Sequence, residues 1–173
     1  MIQAKVKLTF PNSRQFITET GSGHQFIIDE PVSNTGPKPV ELLAAALAGC
    51  TALDVITILR NKKHKNVTAY EVLVEADQQQ LPPQVFTHVR IHHSVTGEDV
   101  DPRSVEEAIE LSETKYCSVG AMVRQSGAEI STTYSIQSSK EAEVGSVHSS
   151  ASCLQLAANA LVPEGRSGLG ENG

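Results

Sequence analysis

The sequence predicts an α+β fold in which an antiparallel sheet packs on helices, and three patterns lead to this prediction. Short segments within residues 2–28 alternate apolar and polar side chains, as strands with one buried face do. Residues 39–59 form one long apolar run, which is typical of a buried helix. Alternation returns in two long stretches on either side of Pro82-Pro83.

The N-terminal segment predicts three strands joined by tight turns. Every second position of the first strand is apolar: Ile2, Ala4, Val6, Leu8 and Phe10. Turn-forming residues at 11–13 and 21–23 then separate two further strands, at 14–20 and 25–28. We therefore expect an antiparallel meander.

The apolar run predicts a long helix that begins at Pro39, since proline suits the first helical turn. Its charged residues Glu41 and Asp54 argue against a membrane span. Polar residues are too few to cover a solvent face, so we expect the helix to be enclosed on nearly all sides. A stripe of small side chains, Ala45, Ala48 or Gly49, and Ala52, indicates close packing within the chain or across a dimer.

The rest of the chain predicts a hairpin, two helices and a final strand. In the second hairpin strand we expect Val85, Val89, Ile91 and Val95 to face inward and Phe86, His88, Arg90 and His92 to face outward. Asp101 suits the N-cap of a helix, and a shorter helix begins near Cys117. The final strand covers 130–136. We expect a domain over 1–136 and a Ser/Gly-rich tail over 137–173, with a possible short helix at 150–162.

Composition narrows the function classes. The chain has 173 residues and a net charge of -6, so binding to nucleic acid or to an anionic membrane is disfavoured. Its three cysteines are an odd number, and the chain begins without an apolar signal segment. Both features favour a reducing compartment, and we expect a cytoplasmic protein.

Two cysteines are candidates for chemistry. Cys50 lies in the middle of the long helix, where packing as a small apolar side chain is the alternative. Asp54, one turn further on, would raise a thiol pKa by charge repulsion. Cys117 stands at a predicted helix start, where free backbone N–H groups and the helix dipole could stabilise a thiolate. Burial as a packing residue is the alternative there too.

The segments GPKPVELLAAALAGC (36–50) and KYCS (115–118), within this order of elements, resemble the OsmC/Ohr family of osmotically inducible and organic hydroperoxide resistance proteins. Ser118-Val119 replaces a proline-containing form, which indicates a divergent OsmC-like branch. The resemblance covers residues 1–136. It implies an intertwined homodimer with the long helix at its centre, and a thiol peroxidase without a metal or organic cofactor.

The resemblance also implies roles for particular residues. Cys50 would attack an organic hydroperoxide, and Cys117 would resolve the sulfenic acid as a disulfide that an external dithiol reduces. Arg14 would hold the thiolate, and Glu41 would orient Arg14. Val40 occupies the register of the family's glutamate, so Glu41 comes one residue late and on the opposite side of a continuous helix from Cys50.

A second function is compatible with the same fold. The protein could be a non-enzymatic dimer of the same fold that binds an apolar ligand or partner, with cysteines for packing or redox sensing. Metal binding is not expected, because His88 and His92 share a strand face but lie about 13 Å apart. Cys153, in the tail, is interpreted as a packing residue.

Overall fold

The computed structural model describes residues 1–30, 32 and 34–138, and it has the predicted α+β composition. The predicted short helix at 150–162 and Cys153 lie outside the described residues. Two π-helical turns extend the helices, at Ile58–Lys62 after α1 and at Ser112–Tyr116 after α2. The strands and α-helices are β1 (Ala4–Leu8), β2 (Phe16–Thr20), β3 (Gln25–Ile28), α1 (Pro39–Thr57), β4 (Val67–Gln78), β5 (Phe86–Gly97), α2 (Pro102–Leu111), α3 (Ser118–Gln125) and β6 (Glu129–Ser138).

The strands form two three-stranded sheets. Strands β1, β2 and β3 make the predicted antiparallel meander, and β4 and β5 make the predicted hairpin. The expectation of a wholly antiparallel sheet is wrong for β6, which pairs parallel to β5. Helices α2 and α3 carry the chain back along the sheet, so the last strand starts at the same end as β5. Strand β6 continues to Ser138, beyond the expected boundary at residue 136.

The start of β5 differs from the predicted alternation. Asp77 pairs with His88, whereas the next residue of β4 pairs with Phe86, so Thr87 is an extra residue in the ladder. Such a bulge reverses the side of the strand on which the preceding side chains lie. Phe86 is therefore buried and Val85 exposed, the opposite of the expectation.

Helix α1 begins at Pro39 as predicted, and the Glu41 side chain accepts a hydrogen bond from the Lys38 backbone N–H at 2.9 Å. It buries a single face, which comprises Leu47, Thr51 and Val55. On its other side Leu53 is 70% exposed. Within the described residues the expected enclosure on nearly all sides is not met, because the second sheet and the other helices cover one side of α1 only.

The length and apolar character of α1 also meet the requirements of a membrane span. An 18-residue stretch within Pro39–Lys62 has a mean hydropathy of 2.1, and no other helix in the described part of the chain passes this test. The core helix of a soluble protein passes it as well. Since the buried face of α1 packs on the protein's own core, the test is weak evidence for a membrane.

The core consists of two apolar clusters between the second sheet and the helices. The first contains Val55, Ile58, Leu59, Val67, Val95, Val105, Ala108 and Ile109. The second contains Leu47, Phe86, Val89, Ile91, Cys117, Val123 and Ala128. Three buried polar residues each lie, along the chain, between a member of one cluster and a member of the other. One is on α1, one is on β5 and one follows α2. These three residues, Thr51, His93 and Ser112, are called the polar seam below.

The first sheet contributes to neither cluster, whose buried members all follow Val40 in the chain. Residues directly opposite in an antiparallel sheet lie on the same face. The β1–β3 apolar face is thus formed by Val6, Leu8, Phe16, Phe26 and Ile28. Val6 is 53% exposed and Phe26 is 38% exposed. The alternation predicted a buried face here, and the described chain leaves much of it uncovered.

Candidate active site

Cys50 and Cys117 meet inside the second cluster. Their sulfur atoms and a carboxylate oxygen of Asp54 all lie within 4.8 Å of one another. Cys50 is half-buried and Cys117 is 5% exposed, and both are free thiols. A disulfide needs the sulfurs about 2 Å apart, so the two sulfurs must approach each other further before the bond can form.

The turn before α3 positions Cys117. The Cys117 backbone N–H donates to the Ser112 carbonyl at 2.8 Å, which closes the π-helical turn, and Cys117 then serves as the N-cap of α3. Its sulfur accepts a hydrogen bond from the Gly120 N–H at 3.2 Å. A Cβ at Gly120 would lie 3.2 Å from this sulfur, closer than ordinary van der Waals contact. The backbone of the first turn of α3 therefore approaches the thiol closely.

Asp54 follows Cys50 by one helical turn and belongs to a network in the polar seam. The Ser112 hydroxyl donates to Asp54 Oδ2 at 3.0 Å, and it lies 3.2 Å from the Thr51 hydroxyl. The sequence draws attention to Asp54 through its spacing from Cys50. The local pattern does not single out Thr51 or Ser112 as site residues. Both are polar residues at helical positions that the apolar pattern assigns to the core.

The environment of Cys117 favours the neutral thiol. Burial, followed by hydrogen bonding with the Cys50 thiol, raises the pKa of Cys117 to about 11, and the Asp54 charge acts in the same direction. The Gly120 N–H opposes these effects. The predicted stabilisation of a Cys117 thiolate by the start of α3 is thus present but outweighed, since burial disfavours the charged form.

Arg14 and Glu41 have other partners in this chain. The Arg14 guanidinium donates to Glu30 at 2.9 Å, and Glu41 pairs with Lys38 at 3.5 Å. Arg14 lines a pocket with Lys38 and Pro39, so both predicted residues lie near the start of α1. Glu41 and Cys50 are nine positions apart on α1, a rise of about 13 Å. The charged group that the fold brings to the sulfurs is instead the Asp54 carboxylate.

The profile of the OsmC-like protein family matches residues 32–133, which include Cys50, Asp54 and Cys117. Protein YhfA of Escherichia coli K12 is 36% identical over 124 residues, covering 72% of this chain and 90% of that relative. The chain belongs to the OsmC-like family.

Solved structures of the same fold extend the relationship. A hypothetical protein from Aquifex aeolicus VF5 aligns with a TM-score of 0.71 and 25% identity, over 80% of this chain and 97% of that one. An organic hydroperoxide resistance protein from Elizabethkingia anophelis aligns with a TM-score of 0.59 and 19% identity, over 79% and 96% of the two chains. The latter likeness concerns the fold alone.

Two neighbouring histidines on β5 of this OsmC-like protein lie in different environments. His92 lies on the open face of the second sheet, 2.8 Å from the Thr133 hydroxyl and 3.1 Å from the Ser135 hydroxyl. His93 faces inward and is fully buried, with Nδ1 2.6 Å from the Tyr70 hydroxyl. Burial lowers the pKa of His93 to about 4, so this imidazole is neutral near pH 7. This neutral side chain is one of the three residues of the polar seam.

An apolar pocket of about 320 Å³ opens beside the cluster that holds Cys117. Its lining comes from the start of α1, the start of β5 and from α3, and consists of Val40, Leu43, Gln84, Val85, Phe86, Met122, Val123 and Ser126. Phe86 and Val123 belong both to the pocket and to the buried cluster around Cys117. The bulge in β5 contributes Phe86 to this lining, since it turns that side chain inward.

Proposed function

We propose that this OsmC-like protein is a thiol peroxidase that reduces organic hydroperoxides through Cys50 and Cys117. The observation that carries the proposal is the approach of the two sulfurs to within 4.8 Å inside one apolar cluster. Cys50 is the more exposed of the two and is the attacking residue. Cys117, a buried neutral thiol, is the resolving residue.

The cycle balances in three steps. The Cys50 thiol releases its proton to solvent and the thiolate attacks the O–O bond. The leaving alkoxide takes a proton from solvent to become the alcohol, and Cys50 becomes a sulfenic acid. The Cys117 sulfur then displaces the hydroxyl, which leaves as water with the Cys117 thiol proton, and a disulfide forms. An external dithiol returns both residues to thiols and is itself oxidised to a disulfide. Two electrons thus pass from the dithiol to the hydroperoxide.

The apolar pocket supports an organic rather than an inorganic peroxide. Its lining residues Val40, Leu43 and Phe86 are apolar, and its volume is close to that of small-ligand sites. An alkyl or aryl group would be desolvated there, whereas hydrogen peroxide has no apolar group to bury. The name of the Elizabethkingia protein associates the fold with the same substrate class, although at 19% identity.

We further propose that the working unit is a homodimer. The β1–β3 apolar face is partly exposed, Leu53 on α1 is 70% exposed, and a Cβ at Gly49 would have open space around it. A second copy that covers these surfaces would bury apolar area. Dimerisation could also carry Arg14 of one chain, with Glu41, toward the thiol of the other, so both keep their proposed roles. We propose the cytoplasm as the compartment, because the proposed cycle needs a dithiol to return the cysteines to thiols and a reducing compartment supplies one.

The specific observation in favour of a non-enzymatic dimer is the electrostatics of the thiol pair. The Asp54 carboxylate lies within 4.8 Å of both sulfurs, and the pKa of Cys117 is raised, so the chain by itself disfavours a thiolate there. In that case the apolar pocket would bind a ligand and the cysteines would be packing or redox-sensing residues.

Consumption of cumene hydroperoxide with a dithiol reductant tests the two functions. We expect Cys50→Ser to fall to the uncatalysed rate, because no other residue takes the attacking role. Cys117→Ser should form no intramolecular disulfide and should accumulate a Cys50 sulfenic acid that dimedone traps. Cys153→Ser, which removes the third cysteine, is the matched control and should retain the wild-type rate.

A wild-type rate in Cys50→Ser would exclude the peroxidase. An inactive wild-type protein that co-purifies with an apolar molecule would select the non-enzymatic dimer instead. Circular dichroism of each variant separates loss of chemistry from loss of fold.

Sedimentation tests the dimer with two neighbouring substitutions. Phe26 and Ile27 are exposed to nearly the same extent, 38% and 39%, but lie on opposite faces of β3. We expect Phe26→Asp to weaken the dimer at least tenfold and Ile27→Asp to have a smaller effect, because only Phe26 lies on the β1–β3 apolar face. A monomeric wild-type protein would contradict the proposal.

A further inference from the structure

We propose that Cys50, Asp54 and Cys117 form a binding site for a thiophilic divalent cation of the Zn²⁺ type. The three possible ligand atoms lie within 4.8 Å of one another. Around one zinc ion, with Zn–S near 2.3 Å and Zn–O near 2.0 Å, such atoms stand about 3.5–4 Å apart. Side-chain shifts of about 1 Å or less would therefore close the site. The spacing of His88 and His92 in the sequence does not point to this cation site.

The donor set determines which cation fits. Two thiolate sulfurs and one carboxylate oxygen suit Zn²⁺ or Cd²⁺, whereas Mg²⁺ and Ca²⁺ prefer oxygen ligands only. Three protein ligands leave a fourth tetrahedral position for water, as in open zinc sites. A dication would also offset the charges that two thiolates and a carboxylate carry in a half-buried cluster.

The surroundings already hold the ligands in place. Ser112 donates to Asp54 Oδ2 at 3.0 Å, which leaves the other carboxylate oxygen for a cation. The Gly120 N–H donates to the Cys117 sulfur at 3.2 Å. Outer hydrogen bonds of this kind orient metal ligands and contribute to affinity. Cys50 and Asp54 are one turn apart on α1, so two ligands come from one helix face and the third from the start of α3.

Cation binding has a consequence for the thiol pair. A bound cation occupies both sulfurs and so inhibits attack on a hydroperoxide, an effect that rests on the proposed function. Oxidation of the cation-free pair would in turn exclude the cation: the hydroperoxide takes two electrons from the two sulfurs and two protons to give the alcohol and water, and the disulfide that forms no longer ligates. Binding itself does not depend on peroxidase activity.

Titration of the full-length protein with Cd²⁺ tests the site. The protein is kept reduced with a phosphine, which avoids a competing thiol, and thiolate-to-metal charge-transfer absorbance is recorded without peroxide. We expect one Cd²⁺ per chain. Cys50→Ser and Cys117→Ser should each lose at least half of the absorbance per metal, and Asp54→Asn should weaken binding about tenfold or more. Cys153→Ser and Asp77→Asn should match the wild type, since Asp77 is an exposed carboxylate paired with Arg90.

Protection from alkylation provides a second readout for variants with reduced stability. Zn²⁺ should slow modification of Cys50 in the wild type and in Asp77→Asn, but much less in Asp54→Asn. Wild-type affinity in Asp54→Asn, or an unchanged absorbance in either cysteine variant, would overturn the site. A protein that binds Cd²⁺ but consumes no hydroperoxide would refute only the peroxidase, and the reverse result would refute only the metal site.

Discussion

The two sheets of this protein have similar alternating sequences but different surroundings. The second sheet lies against α1, α2 and α3, and its inward residues Val89, Ile91 and Val95 are at most 4% exposed. On the first sheet, Val6, Leu8 and Phe26 remain between 38% and 53% exposed. Alternation therefore indicates which face of a sheet is apolar and is to be buried. It does not indicate which element covers that face.

The difference extends to the site. Both cysteines and Asp54 belong to the region with a complete core, where α1 meets the start of α3. Arg14 belongs to the first sheet region and lies near the start of α1. The thiol pair is thus assembled within one chain, whereas the proposed role of Arg14 depends on the first sheet, whose apolar face the described residues leave partly uncovered.

The largest difference in stability between the two regions is expected from a matched pair of leucine substitutions. Leu59 is fully buried in the first cluster, so Leu59→Ala should lower the free energy of unfolding by about 2–5 kcal/mol at any protein concentration. Leu8 is 46% exposed on the β1–β3 apolar face, so Leu8→Ala should cost less than about 1 kcal/mol in a dilute monomer. Urea unfolding at two protein concentrations measures both.

A cost for Leu8→Ala that increases with protein concentration would locate the dimer contact on the first sheet. Equal costs for the two variants in the monomer would contradict the difference in burial.

The buried histidine should make stability depend on pH. His93 has a pKa near 4 in the folded chain and an ordinary value of 6.5, so below pH 6.5 the unfolded chain binds the extra proton. Stability should fall by about 3 kcal/mol as the pH decreases from 6.5 to 4. His93→Gln should reduce this loss of stability between pH 6.5 and 4, with the free energy of unfolding measured by urea denaturation.

The control for His93 comes from the first sheet. His24 is exposed in the turn between β2 and β3, so His24→Gln should leave the wild-type pH profile. The same flattening in both variants would mean that burial of His93 is not the cause.

The smallest effect on stability is expected at Arg14. Its side chain is 79% exposed and pairs with Glu30, so Arg14→Ala should change the free energy of unfolding by less than about 0.5 kcal/mol. If dimerisation brings Arg14 to the thiolate as proposed, hydroperoxide consumption should still fall at least tenfold. Lys5→Ala, which removes another exposed pair on the first sheet, is the control. An unchanged rate in Arg14→Ala would remove this residue from the mechanism.

Local patterns predicted a large part of the fold. Proline at the first turn located the start of α1, and the Asp101 side chain caps α2 by accepting from the Ser104 N–H at 2.9 Å. The direction of β6 was predicted wrongly, because it depends on the path of α2 and α3 rather than on alternation within the strand. The inward turn of Phe86 was missed because a one-residue bulge leaves no mark in the alternation.

The sequence by itself determined the order of strands and helices, the family and the two cysteines of interest, because these depend on spacing and residue type along the chain. Only the tertiary structure decided that Asp54 lies beside both sulfurs and that Ser112 holds its carboxylate. It also decided that the Cys117 thiol is neutral, with a pKa near 11. Distances between remote segments and the loss of solvent around a group arise only when the helices and the sheet pack together.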